Sequence, residues 1–254
     1  MNISVIIPCR NMAATLPAAV NSAVRADADE IIIVNDNSTD DTIKTALSVC
    51  GGRTRLVNVP LSDGVAGGVC FARNFGIAQA QNPLIVPLDA DDELTADGLH
   101  SLYDAYTPGA FVYGSWIEQK WRDYPTEDAG MLFEEAKSAP PMIRLSEKNV
   151  THATFLFAKS DWRKVGGFNP TFEAGAEDYA FMCALVSAGV WGVRADGYIY
   201  RKRTTVQART DAIKNSELKQ GLLRFLLHET YPKVFANGGK GYQEHIPAAA
   251  YTDG

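Results

Sequence analysis

Short β-branched runs alternate with amphipathic stretches through the first part of the chain. Ile3-Ser4-Val5-Ile6-Ile7, stopped by Pro8, predicts a central buried strand. Leu16, Ala19, Val20, Ala23 and Val24 share one face of a following helix. A second strand is predicted over 30–34, ending in Asn35-Asp36-Asn37-Ser38-Thr39-Asp40-Asp41. Ser38 is the expected N-cap of a helix through Leu47, with acidic residues in its first turn. Leu56-Val57-Asn58-Val59 predicts a third strand. A Gly-rich loop at 64–68 precedes a helix over 69–80, and 84–88 predicts a fourth strand. This alternation predicts an α/β fold, a mostly parallel central sheet with helices on both faces.

Ligands in such sheets bind outside the carboxyl ends of the strands. Pro8-Cys9-Arg10-Asn11, Asn35-Asp36-Asn37 and Asp89-Ala90-Asp91-Asp92 all fall at those ends. Carboxylates at the end of an apolar strand are costly to bury unpaired. A hard divalent cation resolves that cost, since Mg2+ and Mn2+ favour carboxylate oxygen. A solvated acidic loop capping the next helix explains the acidic cluster equally well when it is taken alone. Three polar clusters on one edge weigh toward a site, with Asp92 expected to start the next helix.

The second half is less regular. Strands are predicted over 110–113 and 154–158, with a long loop holding a short helix over 117–149. Lys164-Val165-Gly166-Gly167-Phe168-Asn169-Pro170 is turn-rich, and Glu177-Asp178 opens a helix with Phe181, Ala184, Leu185 and Ala188 inward. A strand over 198–200 leads into Arg201-Lys202-Arg203. Residues 211–234 are expected to be mostly helical, packing on the core or on a second copy as a homodimer, and the tail after Ala236 loosely ordered.

Composition narrows the partners. The 254 residues are 46% hydrophobic and 21% charged, enough for a core, and the net charge is −6 without a basic stretch. No nucleic-acid partner is therefore expected. Cys9, Cys50, Cys70 and Cys183 form no CxxC pair, so they read as small buried hydrophobes in a reducing compartment. No signal peptide and no transmembrane segment is expected, which predicts a soluble, cytoplasmic protein.

Several motifs, in order, resemble the family 2 glycosyltransferases of GT-A fold. Ser4-Val5-Ile6-Ile7-Pro8 looks like the opening strand, and Ile32-Ile33-Val34-Asn35-Asp36-Asn37-Ser38-Thr39-Asp40 the second motif. Ala72-Arg73-Asn74-Phe75-Gly76-Ile77 resembles the ARNxG helix and Asp89-Ala90-Asp91 the DXD motif. Gly166-Gly167-Phe168 followed by Glu177-Asp178 resembles the GGF…ED segment. The likeness covers roughly residues 3–203. It implies a Rossmann-like sheet with a smaller mixed acceptor-side region: 1–92 as the nucleotide-binding half, 93–203 as the acceptor-binding half, and 204–254 as a helical extension and tail.

The same resemblance implies metal-dependent, inverting transfer of one sugar from a nucleotide-diphosphate sugar, usually UDP-linked. The acceptor hydroxyl belongs to a glycan, a lipid-linked sugar or a small molecule. Pro8, Arg10 and Asp36 line the nucleoside pocket in this reading, and Arg73 lies near the nucleotide or its phosphates. Asp89 contacts ribose or a metal-bound water, Asp91 coordinates Mn2+ or Mg2+, and Asp178 is the general base. Glu177 orients the acceptor or the base. Trp116 is the acceptor-side aromatic, and Arg201 and Arg203 are assigned to the diphosphate from position alone. Structural readings stand beside these: Arg73 as a helix-surface arginine, Asp36 and Asp40 as helix caps, Trp116 as packing. Arg10 stands where Tyr is frequent, and Asn37 replaces a usual Gly while tolerating its left-handed turn. No QxxRW follows Asp178, which argues against processive polymer synthesis. The alternatives are a nucleotidyltransferase on a similar fold and a catalytically silent sugar-nucleotide-binding protein.

Overall fold

β1 (Ile3–Cys9) is buried along almost its whole length because it lies between two parallel neighbours. These are β2 (Glu30–Asn35) and β4 (Leu84–Pro87). β3 (Thr54–Asn58) adds parallel to the outer edge of β2, and β8 (Phe157–Ala158) adds antiparallel to β4. The order is β3-β2-β1-β4-β8. The computed structural model describes residues 1–62, 64–121, 131–138, 154–172, 176–205 and 226–235.

A second sheet has the order β5-β9-β6-β7, from β5 (Glu93–Leu94), β9 (Trp191–Thr205), β6 (Ala110–Trp121) and β7 (Met131–Lys137). Its strands depart from expectation. β6 runs on to Trp121 and returns antiparallel as β7, where a long loop was predicted over 117–149. β9 is a 15-residue strand in parallel with β6, far longer than the three residues predicted over 198–200. Both strands mix charged and aromatic residues, and their polar positions lie beside another sheet strand rather than in a loop. That pairing leaves no clean period for sequence to read.

The alternation of β1 and β2 supplies two cores, one on each face. Val5, Ile7, Ile31 and Ile33 pack with α1 (Leu16–Arg25), whereas Ile6, Ile32 and Val34 pack toward α3 (Val69–Gln79) and α6 (Glu177–Ser187). The second core is strongly aromatic, with Phe168 stacked on Phe181 at 4.2 Å between ring centres. Leu227 and Val234, in two short helical pieces at 226–230 and Pro232–Phe235, are buried in that same core. The rest of the predicted 211–234 helix, and the tail, lie outside the described residues. No helix among the described residues is long and apolar enough to cross a membrane.

α2 (Thr42–Val49) begins later than the Ser38 cap predicts. Asp40 accepts the Thr42 N–H at 2.9 Å, while the Ser38 hydroxyl is taken by the Asn11 N–H at 3.1 Å. The residues after β2 therefore first tie two loops together and only then cap a helix.

α3 lies so close to the sheet that Gly76 has no room for a side chain. A Cβ there would sit 2.6 Å from Val34 Cγ2 and 2.7 Å from Ile6 Cγ2. Both neighbours are short, branched and held in central strands. Gly76→Ala is expected to lower stability, the overpacking cost of about 1–3 kcal/mol outweighing the ~1 kcal/mol helix-propensity gain. Urea unfolding of the variant measures this.

Candidate functional site

The loops at the carboxyl ends of β1 and β2 are laced together. Asn11 and Asn37 both hold positive φ, 54° and 49°. Asn11 Oδ1 accepts the Thr39 N–H at 2.8 Å. Asn37 Nδ2 donates to the carbonyls of Ser62 at 3.0 Å and Val65 at 2.8 Å, drawing the Gly-rich loop toward the sheet edge. Asp36 completes this: its two carboxylate oxygens accept the N–H groups of Gly67 at 2.7 Å and Gly68 at 2.9 Å. Arg10 is half-buried, its Nη2 3.5 Å from the Gly64 carbonyl oxygen. Pro8, Arg10 and Asp36 thus gather at one edge beneath a single loop.

Arg73 is not on a helix surface. It is 1% exposed, and its guanidinium bridges two elements distant in sequence. Nη2 donates to Asp89 Oδ1 at 2.7 Å and Nη1 to Glu177 Oε1 at 2.9 Å. The guanidinium also lies 5.3 Å from the centre of the Phe168 ring. Burial alone pulls the Arg73 pKa down, but the charges of Asp89 and then Glu177 outweigh it and raise the pKa. Arg73 Nε and Glu177 Oε2 are buried without a hydrogen-bond partner among the described residues. The neighbouring Asn74 holds the Gly-Gly-Phe turn: its Oδ1 accepts the Phe168 N–H at 2.9 Å, and its Nδ2 donates to the Phe168 carbonyl at 2.8 Å. A Cβ on Gly167 would meet Asn74 Oδ1 at 2.5 Å, so this close approach requires glycine as well as the positive φ of 81°. Arg73 and Asn74 therefore join the acidic loop after β4, the turn that follows α5 (Lys159–Val165) and the first turn of α6.

Asp89, Asp91 and Asp92 offer carboxylate oxygens that lie within 4.8 Å of one another. Asp91 is pushed up from 3.8 to about 6, first by burial and then by the charge of Asp89. Burial, then Asp91 and Asp89, push Asp92 well above the usual range. This crowding of like charge is what a bound cation relieves, and an all-oxygen donor set suits Mg2+ or Mn2+. Asp92 does not start a helix. It is buried, it leads into β5, and its Oδ1 accepts the Arg203 N–H at 2.9 Å; the next helix, α4 (Gly98–Asp104), begins only after β5.

The basic run on β9 divides by face. Arg203 pairs with Glu93 and lies over the Trp121 ring, and Arg201 stands opposite Glu93 in the strand register. Lys202, which the sequence does not single out, acts on both Asp91 and Asp92 through its charge, and Arg203 also acts on Asp91. Strand alternation puts Lys202 and Tyr200 on one face and Arg201 and Arg203 on the other, a signal legible only once the strand is known to reach that far.

Glu177 and Asp178 occupy the first turn of α6, both buried. Asp178 Oδ1 accepts the Tyr179 N–H at 2.7 Å, and its charge reaches Arg73 and Tyr200. Trp116 is half-buried on β6, opposite Tyr200 in the register with β9.

Residues 4–161 match the family model described as Glycosyl transferase family 2. The chain belongs to this family. It is 38% identical over 92 residues to the succinoglycan biosynthesis protein ExoU of Rhizobium meliloti, covering 36% of this chain and 26% of that protein. It is 30% identical over 163 residues to the GalNAc(5)-diNAcBac-PP-undecaprenol beta-1,3-glucosyltransferase of Campylobacter jejuni, covering 62% of this chain and 48% of that one. The family 2 chain thus spans about a quarter to a half of the length of these relatives. Among solved structures, the mannosyltransferase PcManGT from Pyrobaculum calidifontis in complex with GDP-Man and Mn2+ aligns with a TM-score of 0.60 at 16% identity, over 100% of this chain and 76% of that one. S. aureus TarS in complex with UDP-GlcNAc aligns with a TM-score of 0.59 at 17% identity, over 98% of this chain and 77% of that one. The fold is GT-A.

Arg73→Met in this family 2 chain leaves Glu177 buried without its counter-charge. The expected loss of stability is about 3–5 kcal/mol, toward the lower end because the Asp89 side chain is 39% exposed. Arg73→Lys keeps the charge but lacks the planar fork that spans both carboxylates, so it recovers only part of the loss. Chemical denaturation of the two variants reads both numbers.

Proposed function

We propose that the chain transfers a single sugar from a nucleotide-diphosphate sugar to an acceptor hydroxyl, with inversion at the anomeric carbon and with Mn2+ or Mg2+ bound. The observation that carries this reading is the Arg73 bridge. It ties Asp89, in the acidic cluster, to Glu177, whose chain neighbour Asp178 is the proposed base. Leaving-group chemistry and acceptor activation are thereby linked through one side chain.

In this reading Asp91, with Asp89 beside it, holds the cation, and Asp92 adds a third carboxylate. The cation supplies positive charge against the diphosphate as negative charge builds there. Pro8, Arg10 and Asp36 line the nucleoside pocket, Asp36 acting partly by holding Gly67 and Gly68 in place. UDP is the leading nucleotide. Two solved neighbours hold sugar nucleotides, GDP-Man in PcManGT and UDP-GlcNAc in TarS, and support a donor of this class.

Asp178 takes the proton from the acceptor hydroxyl as that oxygen attacks the anomeric carbon from the face opposite the diphosphate. Its place in the first turn of α6 favours the ionised carboxylate that a base needs. Glu177, paired with Arg73, orients Asp178 and Asp89 rather than touching the acceptor. Trp116 is assigned to the acceptor side, where its ring faces a glycan, a lipid-linked sugar or a small molecule. Lys202 joins Arg201 and Arg203 as the positive charge near the diphosphate. A catalytically silent sugar-nucleotide binder would have no use for Asp178.

Asp91→Ala is expected to abolish Mn2+-dependent binding of UDP or of a UDP-sugar, measured by calorimetry. A panel that includes GDP-mannose tests the choice of nucleotide. Asp178→Asn is expected to keep donor binding and to lose transfer by about 10²–10⁴-fold, the usual worth of a positioned base. Wild-type transfer by that variant would remove Asp178 from the mechanism.

The raised pKa of Asp91 also has a sign. A neutral Asp91 favours the metal-free fold below the ordinary carboxylate range, and that contribution is lost as pH rises through about 6. Cation binding needs the ionised form, so the Mn2+-induced rise in Tm is expected to be small near pH ~5 and larger near pH ~7.5. Thermal unfolding with and without Mn2+ at the two pH values measures it.

A further inference from the structure

Tyr200 is a buried polar side chain on the strand beside the acidic cluster. It is only 2% exposed, and its hydroxyl has no hydrogen-bond partner among the described residues. Leaving a buried hydroxyl unmade costs free energy, so an orphan of this kind calls for a reason. Its position supplies one. Tyr200 is paired with Leu94 on β5, just after Asp91-Asp92, and with Trp116 on β6. Three residues further along the same strand, the Arg203 N–H binds Asp92. The charges that reach the Tyr200 hydroxyl are, in order, those of Asp92, Asp89, Asp178 and Glu118. The hydroxyl is thus buried within reach of these charges, on a strand residue paired with the segment that follows Asp91-Asp92.

We propose that Tyr200 is a positioning residue for the cation site: its hydroxyl donates a hydrogen bond to a carboxylate of Asp92 or Asp89 when a divalent cation is held there, and so orients that carboxylate's other oxygen toward the cation. This rests on the cation reading of Asp89, Asp91 and Asp92 given above. Burial and the surrounding carboxylates push the phenol pKa up, so the group is an O–H donor throughout the neutral range. A carboxylate that gives one oxygen to a cation keeps the other for a donor, and outer-layer donors of this kind fix ligand orientation. The hydroxyl is then a group that the metal-free fold does not use and the metal-bound site does.

That asymmetry makes the test direct. Tyr200→Phe removes the hydroxyl and leaves the ring that packs in the core. In EDTA its Tm is expected to equal or exceed that of the wild type, because an unsatisfied buried group is gone. Its affinity for Mn2+, measured by calorimetry in the presence of UDP, is expected to fall by about 10–100-fold. A Tm in EDTA below the wild type would mean that the fold itself uses the hydroxyl, and would overturn the assignment. Unchanged Mn2+ affinity in Tyr200→Phe, with binding intact in the wild type, would overturn the assignment alone. A wild type that binds no Mn2+ would overturn the cation reading and this assignment with it.

Discussion

The guanidinium of Arg73 is the group on which the rest of the site depends. Burying it costs several kcal/mol of hydration, and only charges held at close range offset that. Asp89 and Glu177 supply them, from the loop after β4 and a helix 104 positions away in the chain. The bond geometry binds both ends: neither the acidic loop nor the first turn of α6 can shift without leaving charge buried and unpaired. Arg73 can serve in this way because α3 is itself pressed against β1 and β2 at Gly76. A glycine about one helical turn from Arg73 thus sets the depth of the guanidinium.

Around this bridge the molecule concentrates negative charge. Asp89, Asp91 and Asp92 offer oxygens within 4.8 Å of one another, the charges of Asp89, Asp92 and Asp178 all reach Tyr200, and the net charge of the chain is −6. Such a cluster raises its own carboxylate pKa values unless a cation answers it. Arg73 answers from below, and Lys202 and Arg203 answer from β9, but Asp91 still sits near 6. The residual imbalance is the physical reason to place a divalent cation there, independent of any motif. The Tyr200 hydroxyl is a buried donor without a hydrogen-bond partner among the described residues, and the charges of Asp92 and Asp89 reach it.

Much of the first sheet was legible because its strands are buried on both faces and read as unbroken β-branched runs. Ile3 to Ile7 and the run in β2 could be little else. The second sheet was not. In β6 and β9, Glu118, Lys120, Arg201 and Arg203 interrupt any regular pattern, because these strands have one side on the core and the other near solvent or the acidic cluster. Asp92 was misplaced for a related reason. The last acidic residue of a cluster after a strand looks like a cap, and only the Arg203 N–H from a strand 111 positions away shows it turned inward.

The sequence by itself determined the alternating α/β order, the polar clusters at the strand ends and the residue types able to hold a cation and act as a base. Those follow from local hydrophobic periodicity and side-chain chemistry. Tertiary structure alone decided that Arg73 is buried, that it joins Glu177 to Asp89, that Lys202 and Arg203 both reach Asp91 through their charge, and that Tyr200 is buried within reach of the charges of Asp92 and Asp89. Each of these depends on which face of an element meets which partner across a hundred residues, and pairwise contact at that range leaves no trace in local pattern.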